Sequence, residues 1–325
     1  MLLFLRNQIP KKMNKLKFCL SLIFFFVLTA VFSQNYRDTV INDLLNVSFG
    51  LSRKDKDQYL AAKEKVLKLE EDYGYEVDLK MRLIDYSYLH KDLGFFKEQL
   101  EILVKNHGFT IAYMTGGESY SDAIMKGELS QWFKEMYLKN HFIWLDNNFE
   151  KQIDQRKLHD NQIKIQTIQS VVSKLQETEA LSVTDKKAVD SKCNEVLFST
   201  ISFLHDLCRK YDQYPTGKNF AIVQTSTISK LYINLSIKEN IGRTWLLIEP
   251  YIKKSYLKHE TDYREYVVFD AFSYIHFGYQ KYGLLSKDSL PSSLRFKTHI
   301  EDIAGEVPVQ NVFFSDSIKR EFGWK

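Results

Sequence analysis

Val77-Asp-Leu-Lys-Met-Arg-Leu-Ile-Asp-Tyr-Ser-Tyr-Leu-His-Lys-Asp-Leu-Gly-Phe-Phe-Lys-Glu-Gln-Leu-Glu-Ile-Leu-Val-Lys-Asn-His-Gly-Phe109 reads as one helical hairpin. Leu79, Leu83, Ile84, Tyr86 and Leu89 recur at helical spacing, as do Leu100, Leu103 and Val104. Val77 to His90 is expected to form the first helix, Leu93-Gly94-Phe95 the turn, and Phe96 to His107 the second helix. Shifting the chain by 34 residues lays Lys63-Glu64, Val66, Leu69 and Gly74-Tyr75 over Lys97-Glu98, Leu100, Leu103 and Gly108-Phe109. A second shift lays Glu101 and Lys105-Asn106-His107 over Glu135 and Lys139-Asn140-His141. The triplets are expected to mark helix ends, where Lys and His favour the helix dipole.

A 34-residue period of paired helices resembles the tetratricopeptide repeat. The resemblance covers about three units, with a degenerate first one from Val40 to Tyr73. Departures from that family are the missing small residues at tight helix contacts and the absence of a closing proline. Where the resemblance holds, it implies a protein or peptide as partner. Thr115-Gly116-Gly117-Glu118-Ser119 lacks the lysine and spacing of a phosphate loop and counts as a turn.

The rest of the chain is also written in helices. A polar helix is expected from Asn147 to Thr178, and a second from Asp185 to Tyr211, capped by Ser182 or Thr184. Tyr211 to Gly217 breaks the pattern at Pro215, and Thr216 is expected to cap the helix after it. Asn240 to Tyr256 follows, kinked or ended near Pro250. An aromatic helix from Tyr263 is then buried on two sides, with Asp262 as N-cap and Gly278 as stop. The last forty residues wrap the domain and finish in a short helix from Asp316 to Phe322. The fold class is therefore all-α: a helical-hairpin, tetratricopeptide-like array (34–145), then an irregular helical domain with an irregular C-terminal tail (146–325).

Lys11, Lys12, Lys15 and Lys17 precede an apolar run from Phe18 to Phe32, the layout of a signal peptide spanning residues 1–33. Met13 is an alternative start. The reading implies export to the periplasm, cell surface or medium, with membrane contact only through an uncleaved leader. The leader holds five cations and no acid, so it turns a formal net charge of +4 into about −1 for the remainder. Nucleic acid is not suggested. Cys193 and Cys208 lie about 22 Å apart along one helix, too far for a bridge, and are expected to be buried thiols. No metal or cofactor motif stands out.

Residues 150–325 resemble an uncharacterised bacterial helical domain of unknown function. The matching elements are Asp154-Gln155-Arg156, Asp190 with Asn194, the turn from Lys210 to Thr216, and Gln280-Lys281-Tyr282-Gly283. The family's histidine is replaced by Asn234, and Leu284 and Leu285 stand where its ending has Thr-Gln. The resemblance supplies no mechanism. Three functions are consistent with the sequence. The first is a non-enzymatic protein- or peptide-binding module of the bacterial envelope. The second is a hydrolase-like enzyme whose polar site gathers Asp154, Arg156, Asp190, Asn194, His205 and Gln280. The third is a structural envelope component anchored by its leader. The hydrolase reading carries a geometric condition: these side chains must converge on one pocket.

Overall fold

A computed structural model describes residues 36–111, 114, 116–177, 181–222, 224–285 and 307–324. The leader lies outside them. The chain is all-α, and among the described residues one isolated bridge, Gln280 to Val309, replaces any strand.

Helix α1 covers residues 36–52 and contains a π-turn at Leu44–Ser48. Helices α2 (Lys56–Tyr73), α3 (Val77–Leu89) and α4 (Leu93–His107) come next, with connections of three residues each. Asp55 caps α2 by accepting the Gln58 N–H at 2.9 Å. Tyr59, Ala62, Val66 and Leu69 of α2 are buried, and so are Phe96, Leu100, Leu103 and Val104 of α4. The first turn of α4 takes in Leu93-Gly94-Phe95, so the bend falls earlier than expected, on His90 to Asp92. Asp92 accepts from Tyr59 and Lys63 of α2, which fixes that bend in place.

The third unit departs from a regular hairpin. It has a short helix α5 (Ser121–Met125), then α6 (Ser130–Asn147). Lys105 and His107 do sit in the last turn of α4, but Lys139-Asn140-His141 lies inside α6. Asn140 is buried there and donates to Glu101 of α4 at 3.1 Å, a packing contact between helices. Gly108 ends α4 at φ 69°, and a Cβ there would stand 2.6 Å from the Trp144 ring of α6. Glycine is required on both counts.

Next along the chain are helices α7 (Phe149–Glu177) and α8 (Val183–Tyr211), the latter capped by Ser182. Then come α9 (Gln224–Leu235), α10 (Ile241–Leu257), α11 (Arg264–Phe277) and α12 (Val312–Phe322). Most sequence neighbours pack as spatial neighbours; in addition α4 packs on α6, α9 returns onto α7 and α10 onto α8. Pro250 lies inside α10 without ending it; the residue four before it, Leu246, is 79 % exposed, so water can satisfy the carbonyl that proline leaves free. Cys208 is buried as expected, whereas Cys193 is half-buried; both are free thiols.

Thr216 does not cap a helix. Residues 213–222 run as a turn and loop that reaches back to the first half: the Ile222 N–H donates to the His107 carbonyl at 2.9 Å. Gln155 of α7 bonds the carbonyls of Gly108 and Ile222 and locks this crossing. Ile222 thereby completes the apolar core of α3 to α6. A core of α8 to α12 holds the other half together.

Helix α11 begins one residue later than expected, with Tyr263 at the N-cap position, and Asp262 accepts the Arg264 N–H at 2.8 Å. Its residues Glu265 to Ser273 are buried without interruption, and Gly278 closes it in the left-handed region. The C-terminal tail docks on Gln280 and Tyr282, just past the end of α11.

Candidate functional site

The six residues expected to form a polar site are not brought into one pocket. Asp154 is buried between α7 and α8, accepting from Lys210 at 2.8 Å and from the Tyr211 hydroxyl at 2.9 Å. Arg156, two residues on, lines an open groove of about 430 Å³ beside Tyr137, His141 and His159. Asp190 and Asn194 line a different groove, of about 440 Å³, with Arg243. His205 stands edge-on to the Tyr251 ring, 5.8 Å away.

Gln280 is buried and holds the tail. Its side chain donates to the Val307 carbonyl at 3.0 Å and accepts the Leu285 N–H at 2.7 Å, while its backbone exchanges bonds with Pro308 and Gln310. Its neighbours serve the same docking. The Trp245 indole N–H donates to the Tyr282 hydroxyl at 2.7 Å. Gly283 sits at φ 71°, and a Cβ would lie 2.6 Å from Ser315 Oγ of α12. The Asp270 carboxylate accepts the backbone N–H groups of Lys281, Tyr282 and Leu284, and burial raises its pKa to about 6 against the pull of those donors. Gln280-Lys-Tyr-Gly283 is thus a tail latch. Asn234 is buried and donates to the carbonyls of Leu197 and Lys230.

A different cluster, at the seam between the two halves, carries the electrostatics of a site. Arg37 of α1 grips both oxygens of Glu76 at 2.9 Å and donates to the Thr261 carbonyl at 2.8 Å. Lys218, from the loop after α8, reaches Glu76 at 3.0 Å and the Tyr73 carbonyl at 2.7 Å. Asn219 donates to Glu260 at 2.7 Å. Arg264 pairs with Asp262 at 2.7 Å. One residue from Arg37, Asp38 accepts from Tyr256, whose hydroxyl also receives the Trp324 indole N–H at 2.8 Å. Four distant parts of the chain meet here: the start of α1, the α2–α3 bend, the loop after α8, and the bend before α11.

These groups surround a crevice of about 50 Å³. One water needs about 10–15 Å³ by this measure, so the space holds a few waters or one small polar group. Glu265 lines it at 6 % exposure, held by a long contact from Thr261 Oγ1 at 3.4 Å and by its own backbone N–H. Burial, then the neighbouring Asp262 carboxylate, pushes Glu265 up to about 8. Asp38 rises well above the carboxylate range for the same two reasons. Burial acts against ionised Asp262 as well, but Arg264 and Arg37 outweigh it and hold that carboxyl below its ordinary value. Burial lowers the Lys218 ammonium, with Glu76 opposing. Three buried carboxyls with divergent protonation therefore share one small region. The Tyr214 hydroxyl and Thr216 Oγ1, both on residues lining the crevice, have no hydrogen-bond partner among the described residues.

The sequence signalled little of this cluster. Asp262 showed as an N-cap, but Arg37 meets Glu76 across 39 residues and Thr261 across 224. Among the described residues no group of three His, Cys, Asp or Glu side chains is placed to hold a metal ion. No protein-family model, curated protein or solved structure matches the chain.

Proposed function

We propose that the chain is a non-enzymatic, exported binding protein of the bacterial envelope that takes a protein or peptide partner at the seam crevice. The observation that carries this reading is the crevice: a small solvent-reaching space whose walls are fixed by ion pairs from four separate segments. Its size supports recognition over small-molecule chemistry at this crevice. Small-molecule sites run to about 300–1,000 Å³, whereas about 50 Å³ admits one head group of something larger. A preorganised wall costs little to order on binding, which favours recognition. The hairpins of α1 to α4, with their tetratricopeptide-like spacing, fit the same reading.

One observation favours a hydrolytic alternative, the neutral Glu265 carboxyl beside ionised Asp262. Such a pair can divide acid and base roles, but the space does not accommodate a substrate bond flanked by both groups. Among the described residues no helix is long and apolar enough to cross a membrane, so anchoring would fall to the apolar run before residue 34.

The test is site-directed photo-crosslinking of the exported chain in cells. A crosslinking residue at Thr216, beside the crevice, should give an adduct of defined mass. The same residue at Val183, 72 % exposed at the start of α8, should not. Equal labelling at both positions, or none at Thr216, refutes a binding site at the seam.

A further inference from the structure

Helix α12 buries Ser315 and Phe322 and packs Ile318 against the core of the second half. Its first turn does the reverse. Val312, Phe313 and Phe314 are three consecutive exposed apolar residues, Val312 at 58 % and Phe313 at 89 %. Single exposed apolar side chains are ordinary, but a contiguous patch marks a contact surface. Phe277, exposed at the end of α11, extends this one. Its ring lies 5.9 Å from that of Tyr279, whose hydroxyl accepts from the Gln310 side chain at 3.4 Å, two residues before Val312. The turn is held in place: Asn311 caps it by accepting the Phe314 N–H at 3.0 Å, and Ser315 donates to the Tyr282 carbonyl at 2.8 Å. Little ordering is left to do on contact.

Cations frame the patch. Lys238 Nζ stands over the Phe277 ring at 5.8 Å, and Lys281 Nζ over the Phe314 ring at 5.4 Å. Arg320 follows Phe313 by seven residues, which puts both on one side of α12. Lys319 lies beside Gly283. The acids of the same segments are Glu239, Asp316 and Glu321, the last paired with Lys253 of α10 at 2.7 Å. Lys238, Lys253, Lys281, Lys319 and Arg320 therefore outnumber them.

We propose that the first turn of α12 docks on an anionic lipid surface, with Phe313 entering the acyl boundary and Lys238, Lys281 and Arg320 meeting the head-group phosphates. Exposure favours this occupant over a protein. A side chain seated in a groove is covered by the opposite wall, whereas Phe313 at 89 % exposure stands out as a ridge. A protein partner would need a matching hollow. A bilayer moulds itself around a ridge that is apolar at its crest and basic along its flanks, and the lysine stems can lie along the rings while their ammonium groups stay in the head-group layer. This contact is separate from the seam crevice and from the leader.

The experiment is co-sedimentation of the leader-cleaved chain, from Gln34 onward, with vesicles of phosphatidylcholine alone or with phosphatidylglycerol added. The leader is removed because it would bind a bilayer by itself. Binding should require phosphatidylglycerol and weaken about tenfold between roughly 0.05 M and roughly 0.5 M salt. Phe313→Ser should weaken it about tenfold or more, the loss expected for one phenyl group withheld from an apolar phase. Its thermal midpoint should not move, since the exposed ring supports nothing in the fold. Phe313→Trp should keep binding and add a tryptophan emission that bromine-labelled lipid quenches. Val183→Ser, a change at an exposed apolar residue of α8, should bind like the parent. No binding to phosphatidylglycerol vesicles, equal binding to both vesicle types, or undiminished binding by Phe313→Ser overturns the proposal. Without vesicle binding, a dimer that Phe313→Ser abolishes gives the patch to a second copy, and a protein adduct from a photo-crosslinker at Phe313 gives it to a partner; either overturns the lipid assignment. The seam reading is tested apart from all of these, by the crosslink at Thr216.

Discussion

Replacing Glu265 with glutamine should make the protein more stable above neutral pH, against the ordinary result for altering a buried polar residue. The folded-state pKa is raised from an ordinary 4.5 to about 8. Between those values the folded chain holds a proton that the unfolded chain has released, so unfolding becomes easier as pH rises. The stability associated with this proton is complete below pH 4.5 and is lost as pH climbs through about 8. Three and a half pH units at about 1.4 kcal/mol each give an upper bound of about 5 kcal/mol. Glutamine keeps the shape of the neutral carboxyl and cannot ionise. At pH 5 the variant should match the parent within about 1 kcal/mol, and at pH 8 it should be more stable by several. Urea unfolding of both chains at pH 5, 6, 7 and 8 measures this, and the difference curve reports Glu265 together with its electrostatic coupling to Asp262. A flat difference curve, or a variant that loses ground as pH rises, refutes the reasoning.

Arg37→Met should cost about 3 kcal/mol in the same unfolding assay, because it strands part of a buried ion-pair network. Gly108→Ala combines a positive φ with a contact of 2.6 Å to Trp144, and should lower stability by about 2–4 kcal/mol, read as a fall in thermal midpoint. Gln280→Ala removes both side-chain bonds of the tail latch. It should cost about 2 kcal/mol and speed tryptic cleavage at Lys319 and Arg320 well before the body of the protein is cut. Cys193 is half-buried and Cys208 fully buried with its thiol pKa raised by burial, so iodoacetamide should modify Cys193 first and Cys208 only on unfolding.

Helix identity was legible because it is local. Periodicity placed α3, α4, α8 and α10 within a few residues, and Ser182 and Gly278 act as the caps their residue types imply. The misreadings share one cause, a tertiary contact outranking a local signal. Thr216 has the chemistry of a cap, but its segment is pinned to His107 and Gln155 before a helix can form. Lys139-Asn140-His141 copies the end of α4 letter for letter, yet Asn140 is needed inside α6 to meet Glu101. The six-residue polar site fails on the same ground. Asp154 and Gln280 are polar because they satisfy buried partners, and a buried hydrogen-bond node and a catalytic residue leave the same trace in a single sequence.

The seam shows why that trace misleads in both directions. Its residues are scattered from Arg37 to Trp324, and what joins them is the demand that buried charges be compensated. Replacing an ion pair by apolar residues of like volume is often neutral or stabilising, so stability alone does not account for placing so many charges at one junction. The arrangement nevertheless stops short of full compensation. Glu265 keeps a carboxyl that burial and Asp262 hold neutral, and Tyr214 and Thr216 keep hydroxyls without partners among the described residues. A seam built for stability alone would close these positions with apolar groups. That incompleteness, more than the charges already paired, is what the proposed binding at the crevice draws on.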